Sequence, residues 1–293
     1  MTRGAAGLTI ITSNGRYAAH QDGDFMRGVS ATQACSAIPS RLVSRRDAVG
    51  EVSIQSQAGG VGPPVVLVHG YAVSGRYLLP LARLLAARYA TYVPDLLPYG
   101  RRGRASVGAS IQDLADALGD WIDVVGLSGP ALVANSMGCQ IVTELAVRRP
   151  HRVGPLVLTA PTIEPAKRSA RHQIIGALRD SRHEPAGLVT LAVRDRARRG
   201  VIGLHTLARS ALADRIEERL PHVHQQTVVV HGGKDRFISR EWAQEVAGLL
   251  PHGRLLVVPD ATHAVPYTHP SLVAEALEQL ITRSTVDHSG TLE

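Results

Sequence analysis

Short, uninterrupted apolar runs alternate along this chain with segments of helical periodicity, and that alternation constrains the fold more than any other feature. Val65-Val66-Leu67-Val68, Ala131-Leu132-Val133, Leu156-Val157-Leu158, Val228-Val229-Val230 and Leu255-Leu256-Val257-Val258 carry no polar face. Strands of this kind are covered on both sides, as in a parallel sheet. Between them, Tyr77–Arg88 spaces Leu78, Leu81, Leu84 and Leu85 as a helix does, and Ile111–Ile122, Cys139–Arg148, Glu241–Leu250 and Ser271–Ile281 also read as helices. Glu51-Val52-Ser53-Ile54-Gln55 alternates as a half-buried strand, and Thr91-Tyr92-Val93 is a short strand closed by Pro94-Asp95. The expectation is an α/β fold with a mostly parallel central sheet flanked by helices.

One stretch breaks the alternation. Residues 161–222 are helical in flavour and rich in arginine, and read as an inserted helical cap. The core is then 48–160 plus 223–284. Residues 1–47 are weakly patterned and read as an N-terminal extension, partly disordered; 285–293 is a C-terminal tail. Aromatic residues are only 4% of the chain, so Leu, Val and Ala must fill the core. The formal charge is +7, but no nucleic-acid-binding motif accompanies it. Twelve Lys and Arg against seven Asp and Glu put five of those charges in 161–222. Such a surface is either a solvated helical face or a dock for an anionic substrate or an acidic carrier protein. Cys35 and Cys139, far apart, allow one disulfide but better suit two thiols in a reducing compartment. No apolar run approaches a membrane span, and the first residues lack the apolar centre of a signal peptide, so a cytoplasmic protein is expected.

Chemistry concentrates at the ends of the apolar runs. Ala134-Asn135-Ser136-Met137-Gly138 joins a strand to a helix, and a serine between small residues on such a turn is held above the sheet with its hydroxyl exposed. A nucleophilic serine needs a base and an acid to orient that base. His263 follows the 255–258 run and Asp235 follows the 228–230 run, both at carboxyl ends of strands. The loop Gly70-Tyr71-Ala72 follows the 65–68 run and can turn the Tyr71 N–H toward an oxyanion, joined by the N–H of Met137. Each assignment has a rival: Ser128 for the nucleophile, His269 or His231 for the base, Glu164, Asp260 or Asp95 for the acid. His69 reads as a structural residue of the oxyanion loop, and Cys139 as a core residue. No His or Cys spacing suggests a metal site, and the chemistry needs no cofactor.

On Leu67-Val68-His69-Gly70-Tyr71, Pro94-Asp95-Leu96, Ala134-Asn135-Ser136-Met137-Gly138, Gly233-Lys234-Asp235-Arg236-Phe237 and Ala261-Thr262-His263, the chain resembles the α/β-hydrolase superfamily over residues 50–283. It looks most like lidded bacterial members such as meta-cleavage-product hydrolases and small-molecule esterases. The resemblance implies that Ser136 attacks a carbonyl, His263 serves as base and then acid, and Asp235 orients His263. It departs from the family's pattern at Ala134, where glycine is usual, and at Leu97-Pro98-Tyr99-Gly100-Arg101, which borders the site in relatives. The implied activity is hydrolysis of an ester, thioester or activated C–C bond of a small acyl substrate. The same triad also suits an acyltransferase, and a non-catalytic binding protein on this fold is the third reading. Epoxide hydrolases and haloalkane dehalogenases fit less well, because relatives of that kind put an aspartate where Ser136 stands.

Overall fold

A computed structural model describes residues 8–11, 17–20, 41–50, 52–96, 110–199 and 201–289. Ten strands form one sheet: β1 (Leu8–Ile11), β2 (Tyr17–His20), β3 (Val43–Val49), β4 (Val52–Gly59), β5 (Pro64–Val68), β6 (Ala90–Asp95), β7 (Ala131–Asn135), β8 (Leu156–Thr159), β9 (Thr227–Gly232) and β10 (Gly253–Val258). Their order is β2-β1-β10-β9-β8-β7-β5-β6-β4-β3. The pairings from β1 through β6 are parallel, while β1–β2, β4–β6 and β3–β4 are antiparallel. The mostly parallel sheet is therefore as the apolar runs require, with antiparallel strands at its edges.

The runs have no polar face because both faces are covered. Val65, Leu67, Val133, Val157, Val228 and Val230 point into one layer, against α1 (Leu79–Leu85) and α10 (Pro270–Ser289). Val66, Val68, Leu132, Leu156, Leu158 and Val229 point into the other, against α2 (Ile111–Val125), α3 (Met137–Arg148) and α8 (Arg240–Leu249). Successive side chains alternate between the layers, as a strand's period of two dictates. Ser110 begins α2 with a capping box shared with Asp113. Within 1–47, residues 8–11 and 17–20 pair beside β10, and β3 starts at Val43. At the other end α10 runs through residue 289. Cys35 and the Leu97–Arg101 loop lie outside the described residues.

Between β8 and β9 the chain leaves the sheet for four helices, α4 (Ala170–Ser181), α5 (Ala186–Arg199), α6 (Val201–Ala213) and α7 (Ile216–Arg219). Polar contacts tie them to the core. Asp195 of α5 accepts the Ser74 N–H at 2.7 Å and the Ser74 hydroxyl at 2.5 Å. Tyr71 Oη donates to the Leu204 carbonyl at 2.9 Å. Gln140 of α3 donates to Ala211 O and Asp214 Oδ2, both at 2.9 Å. A short helix, α9 (Val265–Thr268), precedes α10.

Candidate active site

Ser136 stands between β7 and α3 with φ +58° and ψ −124°. A side-chain-bearing residue at positive φ is strained by roughly 1–3 kcal/mol, and the surroundings must hold it there. They do so on three sides. The Ser136 N–H donates to Thr159 O on β8 at 2.9 Å, and the Thr159 hydroxyl donates to Ala134 O at 2.8 Å. Two residues on, Gly138 lies so close to β5 that a Cβ would sit 2.7 Å from the Val68 carbonyl oxygen, so only glycine lets the helix start there. Ser136 is half-buried and its hydroxyl makes no hydrogen bond among the described residues.

The Asp235 and His263 loops meet beside this elbow, where the His263 carbonyl accepts from Asn135 Nδ2. His263 Nδ1 and Asp235 Oδ2 are 2.9 Å apart, with the Asp235 carboxylate fully enclosed and the His263 side chain 14% exposed. Asp235 also accepts the N–H groups of Phe237 at 2.7 Å and Ile238 at 3.1 Å through Oδ1. Burial alone would raise its pKa, but the facing imidazole and these hydrogen bonds hold it below the usual carboxylate range. Burial lowers the His263 pKa, yet Asp235, helped by Asp180 and Glu184, outweighs it and pushes the value up to about 9. The Phe237 ring lies against the imidazole, centroids 4.8 Å apart at 53°.

The Tyr71 and Met137 N–H groups, expected to face an oxyanion, hold no hydrogen bond among the described residues, whereas the Gly70 N–H is taken by Tyr77 Oη at 3.0 Å. Met137 is the first residue of α3, so its amide is free by construction and adds to the positive end of the helix dipole. Ala72, at φ +58°, bends the loop that carries Tyr71.

The rivals are occupied elsewhere. Glu164 accepts the Ser239 N–H at 3.2 Å and pairs with Lys167, Asp260 pairs with Lys234, and Asp95 lies 3.2 Å from His69. Ser128 is exposed in the bend before β7, and His269 sits at the start of α10 beside Thr268. His231 is buried at the end of β9, and burial lowers its pKa. His69 bridges Gly70 O and the Leu96 N–H and so braces the loop that carries Tyr71. Cys139 is enclosed in the core, where burial drives its thiol pKa up, the reverse of what a nucleophile needs. Among the described residues no cluster of His, Cys, Asp and Glu could hold a metal ion, and no helix is long and apolar enough to cross a membrane.

Sequence reasoning missed a side chain that ties the elbow to Tyr77, to β8 and to the His263 loop. Asn135 accepts from Tyr77 Oη at 2.9 Å, while its Nδ2 donates to Thr159 Oγ1 at 3.0 Å and to the His263 carbonyl at 3.2 Å. Its place before Ser136 was the available signal. It missed as well that two acids of the insertion, Asp180 and Glu184, reach the Asp235 and His263 loops.

A family model described as "Alpha/beta hydrolase family" matches residues 65–276. The chain is 24% identical over 265 residues to a 2-(acetamidomethylene)succinate hydrolase of Mesorhizobium japonicum, covering 82% of this chain and 95% of that one. It is 26% identical over 252 residues to a pimeloyl-[acyl-carrier protein] methyl ester esterase of Aromatoleum aromaticum, covering 75% and 98%. In fold it is similar to the 2-hydroxy-6-oxo-6-phenylhexa-2,4-dienoate hydrolase of Rhodococcus sp. strain RHA1, with a TM-score of 0.68 at 17% identity over 83% of this chain and 99% of that one.

Proposed function

Because the chain belongs to the alpha/beta hydrolase family, we propose that it is a serine hydrolase whose triad is Ser136, His263 and Asp235. The observation that carries the reading is the His263–Asp235 pair, 2.9 Å apart at two strand ends, beside a serine strained to φ +58°. The substrate is a small-molecule ester, thioester or activated C–C compound, as in carboxylesterases. Ser136 Oγ attacks the carbonyl carbon while the far nitrogen of His263 takes its proton. Asp235 keeps the other ring nitrogen protonated and steadies the imidazolium. The Tyr71 and Met137 amides receive the oxyanion. As the carbonyl re-forms, the bond to the leaving group breaks, and His263 returns the proton to that group. A water molecule, deprotonated by the same imidazole, then releases the acyl group as the acid and restores the serine.

The same acyl-enzyme can pass its acyl group to an alcohol, amine or thiol in place of water. Surface charge favours a related reading, in which the acyl group arrives on an acidic carrier protein. Lys167, Arg179, Arg182 and Arg236 line a cleft of about 530 Å³ that reaches Asp235. The Aromatoleum relative's name includes an acyl-carrier protein.

The test is labelling with a fluorophosphonate, read by intact mass. One adduct on the wild type that disappears in Ser136→Ala supports the triad. An adduct that survives the substitution, or none on folded wild type, overturns it.

A further inference from the structure

Asp180 sits in the last turn of α4, the negative end of the helix, and is only 6% exposed. That is an unfavourable place for a buried carboxylate unless something answers its charge. Its Oδ1 accepts the Arg236 N–H at 3.3 Å. Glu184, in the turn before α5, accepts the Ala264 N–H through Oε1 at 3.0 Å. Each acid thus holds the amide immediately after one member of the proposed acid–base pair, Arg236 after Asp235 and Ala264 after His263. Glu184 Oε2 is buried with no hydrogen-bond partner. Above them, Gly176 of α4 crosses Phe237 so closely that a Cβ would lie 3.1 Å from its ring, and Phe237 lies on the imidazole.

We infer that Asp180 and Glu184 are positioning residues for His263, a carboxylate latch that fastens the helical insertion to the acid and base loops and adds negative charge beside the imidazole. The inference rests on the reading of His263 as the general base. The groups facing the latch come from three sides. The β9 loop brings Asp235 and Arg236, and the segment after β5 brings Tyr77 against Glu184, while His231 at the end of β9, with Arg240 and Glu241 of α8 acting on it, faces Asp235 and His263. The insertion itself brings Arg179, Arg182 and His183 around the same cleft. His263 is the group that both latch carboxylates act upon.

Burial drives the Asp180 pKa up against the attraction of His263, and Asp235 and Glu184 add to the rise, to about 7. His263 lies at about 9. A general base must be unprotonated to take the Ser136 proton. The latch therefore adds to the hold that Asp235 has on the protonated imidazole. Removing either charge delivers the neutral imidazole at lower pH.

The experiment uses the full chain with two isosteric variants, Asp180→Asn and Glu184→Gln. The His263 ring is titrated by NMR, and kcat/KM for p-nitrophenyl acetate is followed against pH. The latch predicts a His263 midpoint lower by about one pH unit in each variant, since a nearby opposite charge typically contributes that much. The acid limb of kcat/KM should move with it, giving up to about tenfold more activity at pH 7. A purely structural role would lower kcat/KM without moving the limb. If Asp180→Asn fails to fold, Glu184→Gln carries the test, because Gln keeps the acceptor for Ala264. A midpoint unmoved in the folded variants overturns the latch, even if Ser136 is labelled by fluorophosphonate. A midpoint that moves in a protein whose Ser136 is never labelled supports the latch and overturns the triad.

Discussion

Asp235 and His263 shift in opposite directions because each is the other's main partner. The carboxylate is held ionised by the imidazole and two amides, while the imidazole is held protonated, to about 9, by the carboxylate. The consequence for activity has a definite sign. In the proposed triad Ser136 is deprotonated only by neutral His263, so kcat/KM for an ester should rise with pH and level off above about 9, after correction for spontaneous hydrolysis. Asp235→Asn removes the anion and the acceptor for Nδ1. It should drop kcat by roughly 10⁴-fold and bring the limb down toward the ordinary histidine range. A limb that stayed near 9 in that variant would place the controlling charge elsewhere. Stability follows the same pair. The folded pKa of His263 is raised, so its contribution is complete below the unfolded value of about 6.5 and is lost as pH climbs through about 9.

At the scale of elements, β5 and β7 to β10 and their helices were legible because each strand is an apolar run that ends in a chemically distinct loop. The elbow, the Asp235 loop and the His263 loop could be located for the same reason. β3 was not legible. Its Ser44, Arg45 and Arg46 are exposed at the sheet edge, so its composition resembles a loop. The Asp180 and Glu184 contacts were hidden for another reason: their partners lie 56 and 80 residues away, and local pattern carries no long-range pairing. The insertion also differs energetically from the sheet. Strands β7, β8 and β9 are buried at every residue, whereas α4 buries only Asp180. Polar ties such as Ser74–Asp195 therefore matter more to its docking. Asp195 is 0% exposed and its Oδ1 has no partner, so Ser74→Ala takes a hydroxyl donor from a carboxylate already short of them. That should loosen the docking by about 1–3 kcal/mol. Hydrogen exchange read by mass spectrometry should then speed up in α5 while β7 to β9 stay protected. Equal acceleration in both would mean that insertion and sheet open as one unit.

Across the whole molecule, charge is distributed in a way that the count alone does not reveal. The acids of the insertion are committed inward or to neighbours: Glu217 to Arg168, Glu218 to Arg215, Asp214 to Arg219, Glu164 to Lys167, Asp195 to Ser74, and Asp180 and Glu184 to the Asp235 and His263 loops. Arg179, Arg182 and Arg236 are left without an ion pair among the described residues, around one cleft of about 530 Å³. Converging unpaired cations attract an anion over a distance set by screening, about 10 Å at 0.1 M salt. An acidic carrier bearing the acyl group would gain from that field, and a small neutral ester would not. The two substrates therefore separate the readings. kcat/KM for an acyl thioester on an acidic carrier should fall about tenfold or more between low salt and 0.5 M, while p-nitrophenyl acetate changes little. Replacing Arg179 and Arg182 by alanine should flatten the carrier's salt dependence and leave the weak salt dependence of the ester as it was, because the neutral ester gains nothing from their field. Identical salt dependence for both substrates would reduce the cleft to a solvated face and leave the small-molecule hydrolase as the better description.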